Sequence, residues 1–512
     1  MFVDQKALTT ATRMGPSPVH FLYVCMLLLC TWPITISAEG AISFDADLRR
    51  WWDPNEAGRF ESHTLYPNES GALGVVNADG SVEVAHHPFF RTLGENGRAC
   101  VTCHQPADAM SLSVTSIQRR WEETDGTDPL FAAIDGSNCP SAPQGERGSH
   151  SLLLEHGLFR IPLPWPPRTR DGAPIEPEFT IEVMSDPTGC NADPRYGLAS
   201  TTPMVSVYRR PRVAANLKYI TRAGAPINLK NGRAMDVDPE TGKPVTMNLL
   251  SDARHPTLKL QALDAARVHL QAKSAPSATD LAEIEAFLGQ IYLAQEYDRE
   301  MHDLSEGGRS EWLGPRAMER GKVGVLGDNL STPVFGPLDQ WASNDGMTAS
   351  IERGYRIFML RPFWIRDVTY LNSIGLGNPV KRTCSTCHNN MMTGMDLAPG
   401  WMDIGTANRP WAEARADLPL FKLTCAKTAN PHPYLGRTIL THDPGRALIT
   451  GRCVDIGSIT IQQLRGLAAR APYFAHGGAR DLDEVVRFYD RRFDMRLTEQ
   501  EIIDLRNFLS VL

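Results

Sequence analysis

The sequence has no basic excess. Its 52 Lys and Arg are set against 59 Asp and Glu, for a net charge of −7 over 512 residues, and no basic stripe interrupts that balance. A nucleic-acid partner is excluded on that ground, because holding a phosphate backbone takes a patch of Lys and Arg. Long apolar runs are also scarce. The one notable stretch, Phe21 to Trp32, follows Lys6 and Arg13 and precedes Ser37-Ala38. It is short for a spanning helix and has the order of a cleavable export signal: charge, apolar run, small residues. Residues 1–38 are therefore read as a signal peptide, with an uncleaved anchor as the alternative, and the processed chain as not integral to a membrane. At 42% hydrophobic residues the remainder has enough material for ordinary globular cores.

Cysteine is sparse as well, and its ten copies sort by position. Cys25 and Cys30 fall in the targeting segment. Four others form Cys100-Val101-Thr102-Cys103-His104 and Cys384-Ser385-Thr386-Cys387-His388. C-x-x-C-H is the attachment sequence of c-type haem. Two thiols three positions apart in one helical turn reach the two vinyl groups of a porphyrin, and the adjacent His offers its imidazole to the iron. Two copies imply two covalently bound haem c groups. A structural zinc cage is the alternative for a C-x-x-C pair, but the wide separation of the pairs and the His after each favour haem. Cys139, Cys190, Cys425 and Cys453 remain. Disulfides Cys139–Cys190 and Cys425–Cys453 are the simplest pairing in an oxidising compartment, and four free thiols are the other possibility.

Along the chain, the approach to the first motif reads as a short helical segment ending in His86-His87-Pro88-Phe89-Phe90. Helical spacing follows at Ser113–Trp121, Thr257–Gln271 and Ser277–Gln295, the last opening on Ser277…Asp280. Leu158–Leu163, Phe179–Met184 and Met204–Tyr208 carry the apolar and β-branched content of short strands, a small sheet inserted in a helical domain. Lys218 to Asn248 reads as a long surface excursion. A helix with Ile351, Tyr355 and Phe358 on one face opens a second unit, and Thr498…Glu501 caps a closing amphipathic helix. The fold expected is mainly α: an N-terminal haem c domain over 39–302, enlarged by loops and a small β insertion, a linker over 303–348, and a C-terminal haem c domain over 349–512.

Leu464-Arg465-Gly466-Leu467-Ala468-Ala469-Arg470-Ala471-Pro472-Tyr473-Phe474, with Leu482-Asp483-Glu484-Val485-Val486-Arg487-Phe488-Tyr489, resembles the bacterial di-haem cytochrome c peroxidase superfamily, which includes the MauG-type enzymes. The resemblance is strong over 350–512, fair around 86–121 and 205–295, and weak between. It implies that the haem on Cys100, Cys103 and His104 reacts with peroxide, while the haem on Cys384, Cys387 and His388 relays electrons. A small redox protein or a quinol-linked donor would supply those electrons. Peroxide or another small oxidant would be the substrate, a calcium ion sits between the domains in relatives, and the location would be periplasmic.

The chain departs from that family in three places. Gln261-Ala262 fits the family's Gln-Ala pair, but Gln271 stands where the family has Glu, and His269 lies two residues before it. His269 is then a candidate acid–base group, an iron ligand, or a plain packing residue. Ser251-Asp252-Ala253-Arg254 stands where the family has Trp-Asp-Gly-Arg, and no Trp occurs between Trp165 and Trp312. The aromatic step between the haems is absent or comes from elsewhere. Tyr489 occupies the position that holds a Met ligand in peroxidases and a Tyr ligand in MauG-type enzymes; Met495, Met391, Met392 and Met395 are fallback ligands. His476 reads as a turn residue, His86 and His87 as non-ligands near the first motif, and Met110 as a haem-packing contact. The reading is a di-haem c-type oxidoreductase, peroxidase- or MauG-like. Its alternatives are a non-catalytic electron-transfer cytochrome with both irons closed, or a haem oxygenase-type enzyme acting on an organic substrate under the 122–250 insertion.

Overall fold

In the computed structural model the described residues are 50–221, 248–305, 310–321, 338, 341, 346–373, 377–388 and 401–512. They belong to one compact unit, Phe44–Leu512. The expected signal segment and most of the 218–248 excursion lie outside the described residues, as does much of the 303–348 stretch.

The architecture is mixed α/β, with helix over 30% and strand over 19% of the chain, rather than mainly α. The extra strand comes from long-range pairing. His63–Asn68 and Gly71–Asn77 form an antiparallel hairpin whose second strand is wholly buried, and Ile291–Tyr297 pairs along its other edge. The helix expected over Ser277–Gln295 therefore stops at Gln290. Its start is as the sequence implies: Ser277 and Asp280 cap each other's backbone. Its last residues, Ile291-Tyr292-Leu293, satisfy their backbone in the sheet instead, where β-branched and aromatic side chains fit well. The stretch before the first motif also differs from expectation. Val82–Glu83 is a short strand paired with Arg59–Phe60, and His86 to Phe90 runs as turns.

The three strands of the insertion form as expected, at Phe159–Pro164, Phe179–Ser185 and Met204–Arg209, but they do not make one sheet. The first and third pair with each other. Phe179–Ser185 instead pairs with Leu420–Cys425, which also pairs with Thr438–Thr441. Disulfides Cys139–Cys190 and Cys425–Cys453 flank these strands. At the end of Met204–Arg209, the Arg209 side chain (2% exposed) donates to both Asp443 oxygens at 2.6 and 2.9 Å, and also to Asp252.

In the C-terminal half, helix Gly346–Leu360 packs against the closing helix Glu499–Ser510, which carries the Thr498/Glu501 capping box. Ile351, Tyr355 and Phe358 are buried on its inner face. Gly354 sets the approach: a Cβ there would lie 2.0 Å from the Asp504 carbonyl oxygen. Helix Leu482–Phe493 is capped by Asp481, whose side chain accepts from Glu484 N–H.

Candidate functional site: two cavities on the C-x-x-C-H turns

Each motif folds as a single tight turn, and the two turns are built alike. Cys103 N–H donates to Cys100 C=O at 3.2 Å, and Cys387 N–H to Cys384 C=O at 3.2 Å. The hydroxyl of Thr102 accepts from Ala99 N–H at 3.0 Å; that of Thr386 accepts from Thr383 N–H at 3.3 Å. A Thr ahead of the second Cys thus locks both turns. All four cysteines are free of disulfides, and burial pushes each thiol up to about 12.

Each turn opens onto its own cavity. The first has about 1240 Å³ of empty space, part of it open to solvent, and is lined by Cys100, Cys103, His104, Gln261 and His269 among others. The second has about 1480 Å³ and is lined by Cys384, Cys387, His388, Tyr489 and Met495 among others. Among the described residues, Arg210 and Pro211 line both cavities, and no aromatic residue lines both.

The residues present fit a covalently held haem. His104 Nδ1 donates to the Met110 carbonyl at 3.0 Å, which leaves Nε2 with a lone pair for a metal. Burial lowers the pKa of His104 and keeps the ring neutral, and the Met110 carbonyl and His269 act on it more weakly. Met110 thus contributes a backbone carbonyl, while its side chain packs into the core and does not line the cavity. His388 is pushed down to about 4 by burial, and its Nδ1 is buried with no partner among the described residues. Among the described residues no group of three or more His, Cys, Asp or Glu is arranged to hold a metal ion by itself. Neither a zinc cage nor an acidic calcium site is therefore found there.

The most informative side chain in the first cavity is His269. It caps the C-terminal end of helix Leu258–Val268, which begins with the Thr257 hydroxyl accepting from Leu260 N–H. Its Nδ1 lies 2.5 Å from Asp135 Oδ2. Asp135 is fully buried, and its other oxygen is paired with the equally buried Arg98. Burial alone would raise the Asp135 carboxyl, but Arg98 and His269 outweigh it and hold it below the usual aspartate range. Arg98 is itself fixed by the Pro129 and Leu130 carbonyls at 2.6 and 2.7 Å. The carboxylate therefore accepts Nδ1–H, and His269 Nε2 is left as an acceptor. Asp135 and Arg98 escape the sequence reading. The only local hint is that Arg98 sits two residues ahead of the motif. Gln271, at the family's Glu position, lies beyond the helix end with φ 54° and is exposed.

In the second cavity Tyr489 is partly buried, and burial pushes its phenol up, followed by the Cys387 and Cys384 thiols. Its ring centroid is 6.4 Å from that of His388. Met495 is 6% exposed and lines the same space; Met391, Met392 and Met395 lie outside the described residues. His476 stacks on Phe474 in a turn, and His86 and His87 line neither cavity.

No family model matches the sequence, and no curated protein matches it either. Two solved structures show distant similarity. One is a MauG-like protein associated with microbial copper homeostasis, at 16% identity over 58% of this chain and 87% of that one, with a TM-score of 0.27. The other is the hydrazine synthase of Kuenenia stuttgartiensis, at 13% identity over 78% of this chain and 93% of that one, with a TM-score of 0.28. Similarity this distant bears on neither the fold nor the chemistry of the site, which rest on the residues themselves.

Proposed function

We propose that the chain is an exported di-haem c-type oxidoreductase that reduces peroxide in its first cavity and receives electrons through its second. The observation that carries this reading is the His269–Asp135 pair in the cavity of Cys100, Cys103 and His104. When bound, haem iron supplies the Lewis acidity and one-electron chemistry that peroxide cleavage requires. The chain supplies the proton handling. Asp135 holds Nδ1–H, so Nε2 of His269 takes a proton from one peroxide oxygen and returns it to the other as that oxygen leaves as water. The buried carboxylate stabilises the imidazolium between the two events. Gln261, on the same helix and in the same cavity, offers an amide to orient the peroxide. Two electrons and two protons then take hydrogen peroxide to two waters, the electrons coming from a small redox protein or a quinol-linked donor. A Tyr489 ligand in the second cavity would favour the oxidised state there, and a Met495 ligand the reduced one. The two disulfides suit an exported, periplasmic protein.

The same geometry supports a second reading. An imidazole oriented by a buried carboxylate is also how proteins present a metal ligand, and His269 would then close the first site and make the protein an electron carrier. EPR of the ferric protein separates the two. A high-spin signal that converts on adding cyanide, with peroxide turnover lost in His269→Ala, supports the peroxidase. Two low-spin signals indifferent to cyanide would sink it in favour of the carrier.

A further inference from the structure

The run Arg209-Arg210-Pro211-Arg212 leaves strand Met204–Arg209 at the wall between the two cavities. Arg209 is neutralised by Asp252 and Asp443. Its neighbours are not. Arg210, 6% exposed, donates to the carbonyls of His156 at 3.2 Å, Arg470 at 2.9 Å and Leu112. Arg212 donates to the Thr460 and Ile461 carbonyls at 3.0 and 2.9 Å. Arg470, 7% exposed, donates to the Gln463 carbonyl at 2.7 Å, and its Nε is buried with no partner among the described residues. No ion pair joins any of the three to a carboxylate among the described residues. The acids near enough to act on them make no ion pair with them: Asp252 pairs with Arg209 and Arg254, and Asp108 accepts from the Ser116 hydroxyl and acts on Arg210 only weakly, behind burial, Arg470 and Tyr473.

Carbonyls satisfy N–H groups but do not cancel charge, and buried cations without a counter-ion are costly. Burial first, and Arg470 second, pull Arg210 and Arg212 down to about 9 each, and burial takes Arg470 to about 10. Arg470 repels both Arg210 and Arg212, and the three persist together here if an anion normally sits among them. Their placement divides them. Arg212 lines the first cavity alone, Arg470 the second alone, and Arg210 both.

We propose that Arg210, Arg212 and Arg470 form a carboxylate clamp for the propionate groups of two tetrapyrroles, with Arg210 shared between them. The inference rests on the di-haem reading and adds to it an orientation: the acidic edges of both groups meet at the Arg210–Pro211 wall. A cation beside a haem stabilises the reduced iron, so its removal lowers that haem's midpoint potential.

The exported holo-protein is first assayed for two covalent haems per chain by pyridine haemochrome, and each haem's potential is then measured by spectroelectrochemical titration. Arg212→Leu should lower only the first haem's potential, Arg470→Leu only the second's, and Arg210→Leu both. Each Arg→Lys variant, which keeps the charge, should shift less than its Leu counterpart and stands in where Leu prevents folding. Added inorganic phosphate should leave the wild-type potentials unchanged, since the clamp is already filled. Absence of covalent haem overturns the di-haem reading and the clamp with it. With two haems attached, unchanged potentials in the Leu variants, one common shift in all three, or a wild-type response to phosphate overturns the clamp alone.

Discussion

Replacing Asp135 by Asn probes the first cavity most directly. The change is nearly isosteric, but it exchanges an acceptor-only carboxylate for an amide and removes the charge that Arg98 faces. Both partners are fully buried, and losing one member of a buried pair costs about 3–5 kcal/mol. Arg98 keeps its carbonyl acceptors at Pro129 and Leu130, so the low end, about 3 kcal/mol, is expected in urea unfolding. The functional effect is separate. An amide N–H facing His269 Nδ1 selects the tautomer with the proton on Nε2, where it can no longer accept one from peroxide. General acid–base catalysis contributes about 10²–10⁴-fold, and peroxide turnover by the reduced protein should fall by that factor. His269→Ala should do no worse, and the double variant should match it, because the two residues act as one device. The stability term has a pH signature. A carboxyl held below its ordinary 3.8 adds stability at every pH above 3.8 and loses it as the pH falls toward the folded value. The wild-type advantage over Asp135→Asn should thus be constant from neutral pH to about 4 and shrink below it. Full turnover in Asp135→Asn, or an advantage that does not shrink at all as the pH falls below about 4, would refute the pairing argument.

Other expected outcomes follow from single contacts. Gly354→Ala puts a Cβ against the Asp504 carbonyl, so helices Gly346–Leu360 and Glu499–Ser510 must separate; thermal denaturation should show a loss of about 1–3 kcal/mol or more. Burial, with Arg415 second, pushes His476 down to about 3 from 6.5, so the native state resists its protonation and stability falls as the pH drops from 6.5 toward 3. His476→Gln should remove roughly 2 kcal/mol of that loss at pH 5, read from denaturation midpoints at pH 7 and pH 5. Tyr489→Met should raise the potential of the second haem, and no change in either potential would point to Met495 as the ligand.

What the sequence reveals depends on how local the cause is. The helix starts at Ser277 and Thr498 are legible because the capping residues and the groups they satisfy lie within one turn. The motif turns are legible for the same reason. Ile291–Tyr297 is misread because its partner, Gly71–Asn77, is remote in sequence, and an apolar run continuing a helical pattern carries no mark of that edge. Phe179–Ser185 is recognisable as a strand, but its pairing with Leu420–Cys425 is not, so the insertion looks self-contained when it is stitched to the C-terminal half. In the site, His269 stands out because it occupies a helix beside a position where another residue is expected. Asp135 lies in a Gly/Ser-rich loop with no pattern of its own, and only the fold brings it to His269.

The Arg209–Arg212 run separates structural charge from charge held for a ligand. One stretch of chain sends three guanidiniums inward, Arg209 and Arg210 buried and Arg212 half-buried, yet the protein supplies two carboxylates to Arg209 and none to Arg210 or Arg212 among the described residues. Had all three served only to join the halves, each would be expected to meet its own acid, since an unpaired buried cation weakens the fold it sits in. The Asp252–Arg209–Asp443 link already does the joining. It ties strand Met204–Arg209 to the loop before helix Leu258–Val268 and to the segment after Thr438–Thr441. The uncompensated pair begins at the next residue, although all three line the first cavity. Sequence alone makes these arginines look equivalent; it is the distribution of their counter-ions that assigns one to the scaffold and the others to what the cavities hold.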